Sequence, residues 1–120
     1  MKKLAAFILA ILIASAAAAS ADKKASETQP SEIGQQYSQK IGDALAAGQT
    51  EKALSLADEA ILSLQGKDKA SAYTLRGLIY YQLGKEGDAM ADLDQAVALN
   101  PDDPMPFETR GSIRYDTEDY

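Results

Sequence analysis

Two arginines, Arg76 and Arg110, stand 34 residues apart, and each is followed by a glycine, Gly77 and Gly111. A guanidinium is permanently charged and presents a planar fork of donors. Such positions either bind an anion, for example a partner's carboxylate, or tie neighbouring elements together through aspartates. Asp92 and Asp94 are the natural acceptors for the second role. With Asp88 they also raise the question of a hard cation. However, Asp92 and Asp94 fall on different sides of a helix, and no oxygen-rich loop with a central glycine accompanies them. Asp102 and Asp103 sit beside Pro104 and read as helix caps. Acyl-transfer chemistry finds one match, S-x-x-K at Ser20 and Lys23, which straddles the processing site inferred below. The G-x-S-x-G, G-x-x-x-x-G-K-[ST] and G-x-G-x-x-G patterns do not occur. The chain contains neither histidine nor cysteine, which removes the commonest general base, thiolate nucleophiles and disulfides. The expectation is a protein with no catalytic residues, no metal and no cofactor.

The elements that must position these residues begin after an unusual start. Met1-Lys2-Lys3 is positive, and Leu4 to Ala14 is uninterrupted and apolar. Small residues then run to Ala19-Ser20-Ala21, just before Asp22. Charge, apolar run and A-x-A-like exit, in that order, define a secretory signal peptide over 1–21. Retention as an inner-membrane anchor is the alternative, but the second half of the run is mostly alanine, which contributes little transfer energy. Cleavage near Ala21 leaves 10 basic against 18 acidic residues, a net charge of −8. The short Lys-Lys start and alanine-rich exit point to a bacterial protein that is periplasmic or secreted. The acidic balance argues against a nucleic-acid partner, whose affinity rests on clustered Lys and Arg. Residues 22–30 are polar and aperiodic and read as a disordered leader.

From Ser31 onward, glycine and proline punctuate a helical pattern. Ser31 caps a first helix that stops at Gly48, and Thr50 caps a second from Glu51 to about Leu64. A third runs from about Lys69 to Leu83, and a fourth from about Lys85 to Leu99, closed by Asn100-Pro101. Pro104 suits the first turn of a fifth. No alternating strand pattern of useful length occurs, and the short connections require antiparallel pairs. The pairs repeat. A shift of 34 aligns Tyr73 with Phe107, Arg76 with Arg110, Gly77 with Gly111 and Ile79 with Ile113. A shift of 36 aligns Tyr37 with Tyr73, Gly48 with Gly84, Ala53 with Ala89 and Ala60 with Ala96. This period with helix–turn–helix content signals a helical solenoid.

Residues 70–103 resemble a tetratricopeptide repeat over its whole length. Tyr73, Gly77 and Tyr80 stand at the large, small and large sites of the first helix. Gly84 fits the turn, Ala89, Leu93 and Ala96 the second helix, and Pro101 the closing proline. Residues 34–69 are a weaker copy, with Ile41 at the glycine site and Ala44 at the second aromatic site. Residues 104–120 match only a first helix. The resemblance implies an all-α, right-handed solenoid of antiparallel helix hairpins, over 31–120. A last helix without a second leaves Phe107 and Ile113 short of cover. A longer parent protein is the preferred expectation, with a capping role or dimerisation through that face as alternatives.

The resemblance also implies a function, a non-catalytic protein-interaction module. The equivalent face of each first helix forms the wall of a concave peptide groove. Carried over by repeat register, Ser71, Thr74, Leu78 and Tyr81 form its centre. Gln35, Ser38, Gly42 and Leu45 form one end, and Met105, Glu108, Ser112 and Tyr115 the other. Leu45, Leu78, Tyr81 and Tyr115 are the expected apolar anchors, with Glu108 and Asp116 at one side. Members that grip a C-terminal carboxylate use Lys, Arg and Asn here, so that subtype does not fit. The partner is expected to be a protein or peptide, with self-association as the alternative mode.

Overall fold

The computed structural model describes residues 30–117. The expected signal segment, and all but the last residue of the leader, lie outside them. Among the described residues there are five helices and no strand. They are α1 (Glu32–Ala46), α2 (Thr50–Ser63), α3 (Gly66–Gln82), α4 (Glu86–Leu99) and α5 (Met105–Thr117). The all-α repeat architecture is therefore as the sequence pattern requires. None of these helices is long and apolar enough to cross a membrane.

Local chemistry sets the ends. Ser31 is extended, and its hydroxyl accepts the Gly34 N–H at 3.0 Å, as an N-cap should. Helices α1 and α3 end identically, 36 residues apart. Gly48 and Gly84 take positive φ, 74° and 77°. The next N–H then folds back, Gln49 to the Ala44 carbonyl and Lys85 to the Tyr80 carbonyl, each at 2.8 Å. This closure satisfies carbonyls that a helix end leaves open, and it needs a residue without a Cβ penalty at the left-handed position.

That closure corrects two expected boundaries. Thr50 does not cap α2. Gln49, already fixed by the turn, occupies the cap position, and its carbonyl accepts the Ala53 N–H at 3.0 Å. Helix α3 begins at Gly66, three residues earlier than expected, because the extended pair Leu64 and Gln65 suffices as the connection. Asp68, in the first turn of α3, also reaches across to the Ser31 N–H at 3.2 Å. At the far end, Asp103 Oδ1 accepts the Met105 N–H at 3.0 Å, the capping role read from the sequence.

Consecutive helices pack as hairpins, α1 with α2 and α3 with α4, while α1, α3 and α5 lie side by side. Close approach within the second hairpin depends on Gly77. A Cβ there would stand 3.2 Å from both the Ala89 carbonyl oxygen and Leu93 Cγ. The first hairpin reaches the same filling by the opposite assignment. Ile41 occupies the register of Gly77, and Ala57 that of Leu93; Ile41 and Ala57 are both fully buried in one cluster with Ala44, Ala53 and Ile79. Bulk has moved from one helix to its neighbour with the interior still filled, which is what close packing demands. Tyr37 and Tyr73 pack on the cluster of Ala60, Ile61, Leu64 and Ala72. Leu93, Ala89 and Ile113 form the third cluster, which joins α4 to α5.

Candidate binding groove

The side-by-side first helices carry the face that the repeat register assigns to a partner. Between α3 and α5 this face holds a depression of about 330 Å³, lined by Leu78, Tyr81, Met105, Glu108, Thr109, Ser112 and Ile113. A smaller one, about 130 Å³, lies where α1, α3 and the start of α5 meet and is lined by Ser38, Ser71, Thr74, Leu75, Asp103 and Met105. A larger depression of about 430 Å³ sits against α1 and α2, with Lys40, Asp43 and Lys52 on its rim, away from this face. Its rim is charged, and it gathers none of the residues that the repeat places toward a partner.

The expected residues therefore fall into three groups. Leu78, Tyr81, Glu108 and Ser112 come together in the 330 Å³ depression. Ser71 and Thr74 line the smaller one, but both hydroxyls bond their own helix. Ser71 donates to the Lys67 carbonyl at 3.2 Å and Thr74 to the Ala70 carbonyl at 3.1 Å. Thr74 is also only 3 % exposed, so its role is to close the floor. Leu45 and Tyr115 line neither depression. Leu45 packs on the Ile41 cluster and so anchors the interior of the domain, and Tyr115 stands out at 71 % exposure.

Tyr81 is more than an apolar anchor. Its hydroxyl donates a short hydrogen bond to the Asp116 carboxylate, which links α3 to α5 across the depression. This bond raises the phenol above its ordinary value, because deprotonation would set two anions face to face. With Glu108 and Asp103, Asp116 gives the face an acidic margin around the apolar Leu78, Met105 and Ile113. Thr109 and Ile113 were not legible as lining residues. Ile113 is a core position by its alignment with Ile79, and its side chain closes the bottom of the depression.

The arginines serve the scaffold. Arg76 Nε and Nη2 each donate to Asp92 at 2.8 Å, and Nη1 donates to Asp58 at 3.0 Å. Its guanidinium lies 5.6 Å from the ring centres of both Tyr73 and Tyr80. The Asp92 bond holds the Arg76 pKa far above its ordinary value, outweighing burial, which acts the other way. Arg110 repeats part of this arrangement: Nη1 meets Asp94 at 3.2 Å, and the guanidinium covers the Phe107 ring at 5.7 Å. Asp92 and Asp94, weighed earlier as cation ligands, are thus engaged by the two arginines.

Comparison with known proteins agrees with this geometry at its best-formed part. The tetratricopeptide repeat family model matches residues 70–103, the α3–α4 hairpin with its Arg76–Asp92 pair and its Gly77 contact. Residues 70–103 are thus similar to a tetratricopeptide repeat. Repeats of this kind are typically non-catalytic and point to a protein–protein interaction module. Neither the curated proteins nor the solved structures provide a match to the chain.

Proposed function

We propose that this domain is a docking module of a bacterial cell envelope. It receives a peptide or helical segment of a partner protein on the face formed by α1, α3 and α5, and performs no chemistry on it. The observation that carries this reading is the 330 Å³ depression. It joins Leu78 and Tyr81 of one repeat to Met105, Glu108 and Ser112 of the next, so a bound segment spans two repeats. An apolar side chain of the partner enters against Leu78, Met105 and Ile113, and burial there supplies most of the affinity. The Tyr81–Asp116 bond fixes the two walls before binding, which lowers the ordering cost. Glu108 and Asp116 favour a neutral or basic segment and speed its encounter. The charge order of residues 1–21 supports export, with the mature chain starting at Asp22.

Photo-crosslinking in the cells that make the protein tests the reading. A reactive group at Ser112, exposed at the depression, is compared with one at Leu62, 86 % exposed and outside it. A discrete partner band at Ser112 alone is the expected result. Equal labelling at both positions overturns the assignment of this face. Mass spectrometry of the purified native protein reads the N-terminus, and a retained Met1 removes the cleaved-export part of the proposal.

A further inference from the structure

The first hairpin copies the second at a shift of 36, but in one place the copy is hollow. In the second hairpin the Arg76 guanidinium lies 5.6 Å from the Tyr80 ring centre and grips Asp92, so a ring, a cation and a carboxylate stand together between α3 and α4. In the first, Lys40 holds the register of Arg76, while Ala44 replaces Tyr80 and Leu56 replaces Asp92. The cation is kept, and the ring and the carboxylate are missing. What remains is the depression of about 430 Å³ against α1 and α2, lined by Lys40, Asp43, Ala44, Gln49, Lys52 and Leu56. Lys52 adds a second cation where the second hairpin has Asp88. Among the described residues the ion pairs belong to Arg76 and Arg110, and neither lysine has one. Ala44 is buried and Leu56 packs on the same cluster, so the floor between the lysines is apolar. In a chain of net charge −6 this is a local reversal of sign. The depression is not built as the seat of another repeat. Asp43 holds the register of Ile79, which is fully buried against the preceding hairpin. A helix laid on α1 as α2 lies on α3 would have to bury the Asp43 carboxylate, and a buried charge is costly.

We propose that this depression is a binding site for a small aromatic carboxylic acid in its ionised form. The ring takes the place that Tyr80 fills in the second hairpin, against Ala44 and Leu56. The carboxylate, in the part of Asp92, is held by Lys40 and Lys52. Both features are needed, because attraction to ammonium groups at an exposed rim is modest and burial of the ring supplies the rest. A volume of about 430 Å³ lies within the range of small-molecule sites. Asp43 on the same rim repels a second negative charge and accepts a hydroxyl, which favours a monoacid that carries a donor. The site shares no lining residue with the groove of α1, α3 and α5 and does not rest on the docking function proposed for it.

Titration of para-hydroxybenzoate into the isotope-labelled full chain, followed by NMR at the Ala44 and Leu56 methyl groups, tests the site. Saturable shifts at both residues are expected, with a Kd of about 1 mM or tighter for an acid of this size. Lys52→Asp, which installs an acid as at Asp88, and Lys40→Met should each weaken binding about tenfold or more. Neither lysine holds the fold through an ion pair, so both variants should keep the thermal midpoint of the parent chain. The neutral analogue para-hydroxybenzyl alcohol has the same ring without the charge and should not saturate in the same range. Equal binding of the alcohol overturns the proposal, as does unchanged affinity in both lysine variants. Methyl groups that stay silent up to about 10 mM acid also overturn it. Shifts centred on Leu78 and Ser112 would place the acid in the groove instead. A peptide ending in tyrosine that shifts Ala44 and Leu56, where the free acid does not, would assign the depression to a protein terminus and overturn the small-molecule assignment.

Discussion

Arg76 grips Asp92 through two parallel bonds of 2.8 Å, and the carboxylate is almost buried, its side chain 7 % exposed. This fork spans the two helices of one repeat, while the Asp58 bond spans two repeats, so one residue locks the hairpin and its neighbour together. Asp92→Ala is expected to lower unfolding free energy by about 2–3 kcal/mol. That is less than the full cost of stranding a buried charge, because Arg76 remains partly exposed. A double-mutant cycle with Arg76→Met, read by urea unfolding, should return a coupling of about 1 kcal/mol or more. Additive single effects would remove the fork from the account of stability.

The two glycines of the repeat should respond oppositely. Gly77→Leu forces a side chain into the Ala89 carbonyl and Leu93 and should cost about 1–3 kcal/mol. Gly111→Ala meets open space in a helix interior and should stabilise by up to about 1 kcal/mol. Thermal unfolding of the two variants checks the contrast, and a loss for Gly111→Ala would contradict the open geometry at α5.

Tyr81 predicts a pH dependence. Its folded pKa lies above the ordinary phenol value of about 10. The neutral phenol is therefore favoured by folding. The stability it confers is complete below that range and is lost as the pH rises through the raised folded value. Absorbance titration of the phenols should show one tyrosine ionising late. Asp116→Asn should return it toward the others. An unaltered titration would mean that the bond does not persist in solution.

Thr74 separates the register expectation from the geometry. Its hydroxyl bonds the Ala70 carbonyl inside its own helix. Thr74→Val should therefore leave crosslinking at Ser112 unchanged and alter stability by less than about 1.5 kcal/mol. Loss of the partner band with the fold intact would show that the hydroxyl reaches the partner.

Much of this arrangement was legible because it rests on local rules. Ser31, Gly48, Gly84 and Asp103 mark helix ends by side-chain chemistry that acts within a few residues. The alternation of Tyr73, Gly77 and Tyr80 against Ala89 and Leu93 carried the hairpin. Thr50 misled because a good capping side chain is redundant where the preceding turn has already fixed Gln49. Leu45 and Thr74 lie deeper than the register indicates, Leu45 against the Ile41 cluster and Thr74 at 3 % exposure. Repeat register gives direction along a helix but not depth, and depth depends on neighbours distant in sequence. The Tyr81–Asp116 bond, 35 residues apart, is a relation of that kind.

The exchange of bulk between Ile41–Ala57 and Gly77–Leu93 makes the two hairpins non-interchangeable at the level of single helices. Grafting α1 in place of α3 would bring Ile41 toward Leu93, two large groups where one fits. Grafting α3 in place of α1 would leave Gly77 beside Ala57 and a hole between them. Each hairpin is thus a matched pair, and a graft within this chain should keep the interior filled only when both helices of a hairpin travel together.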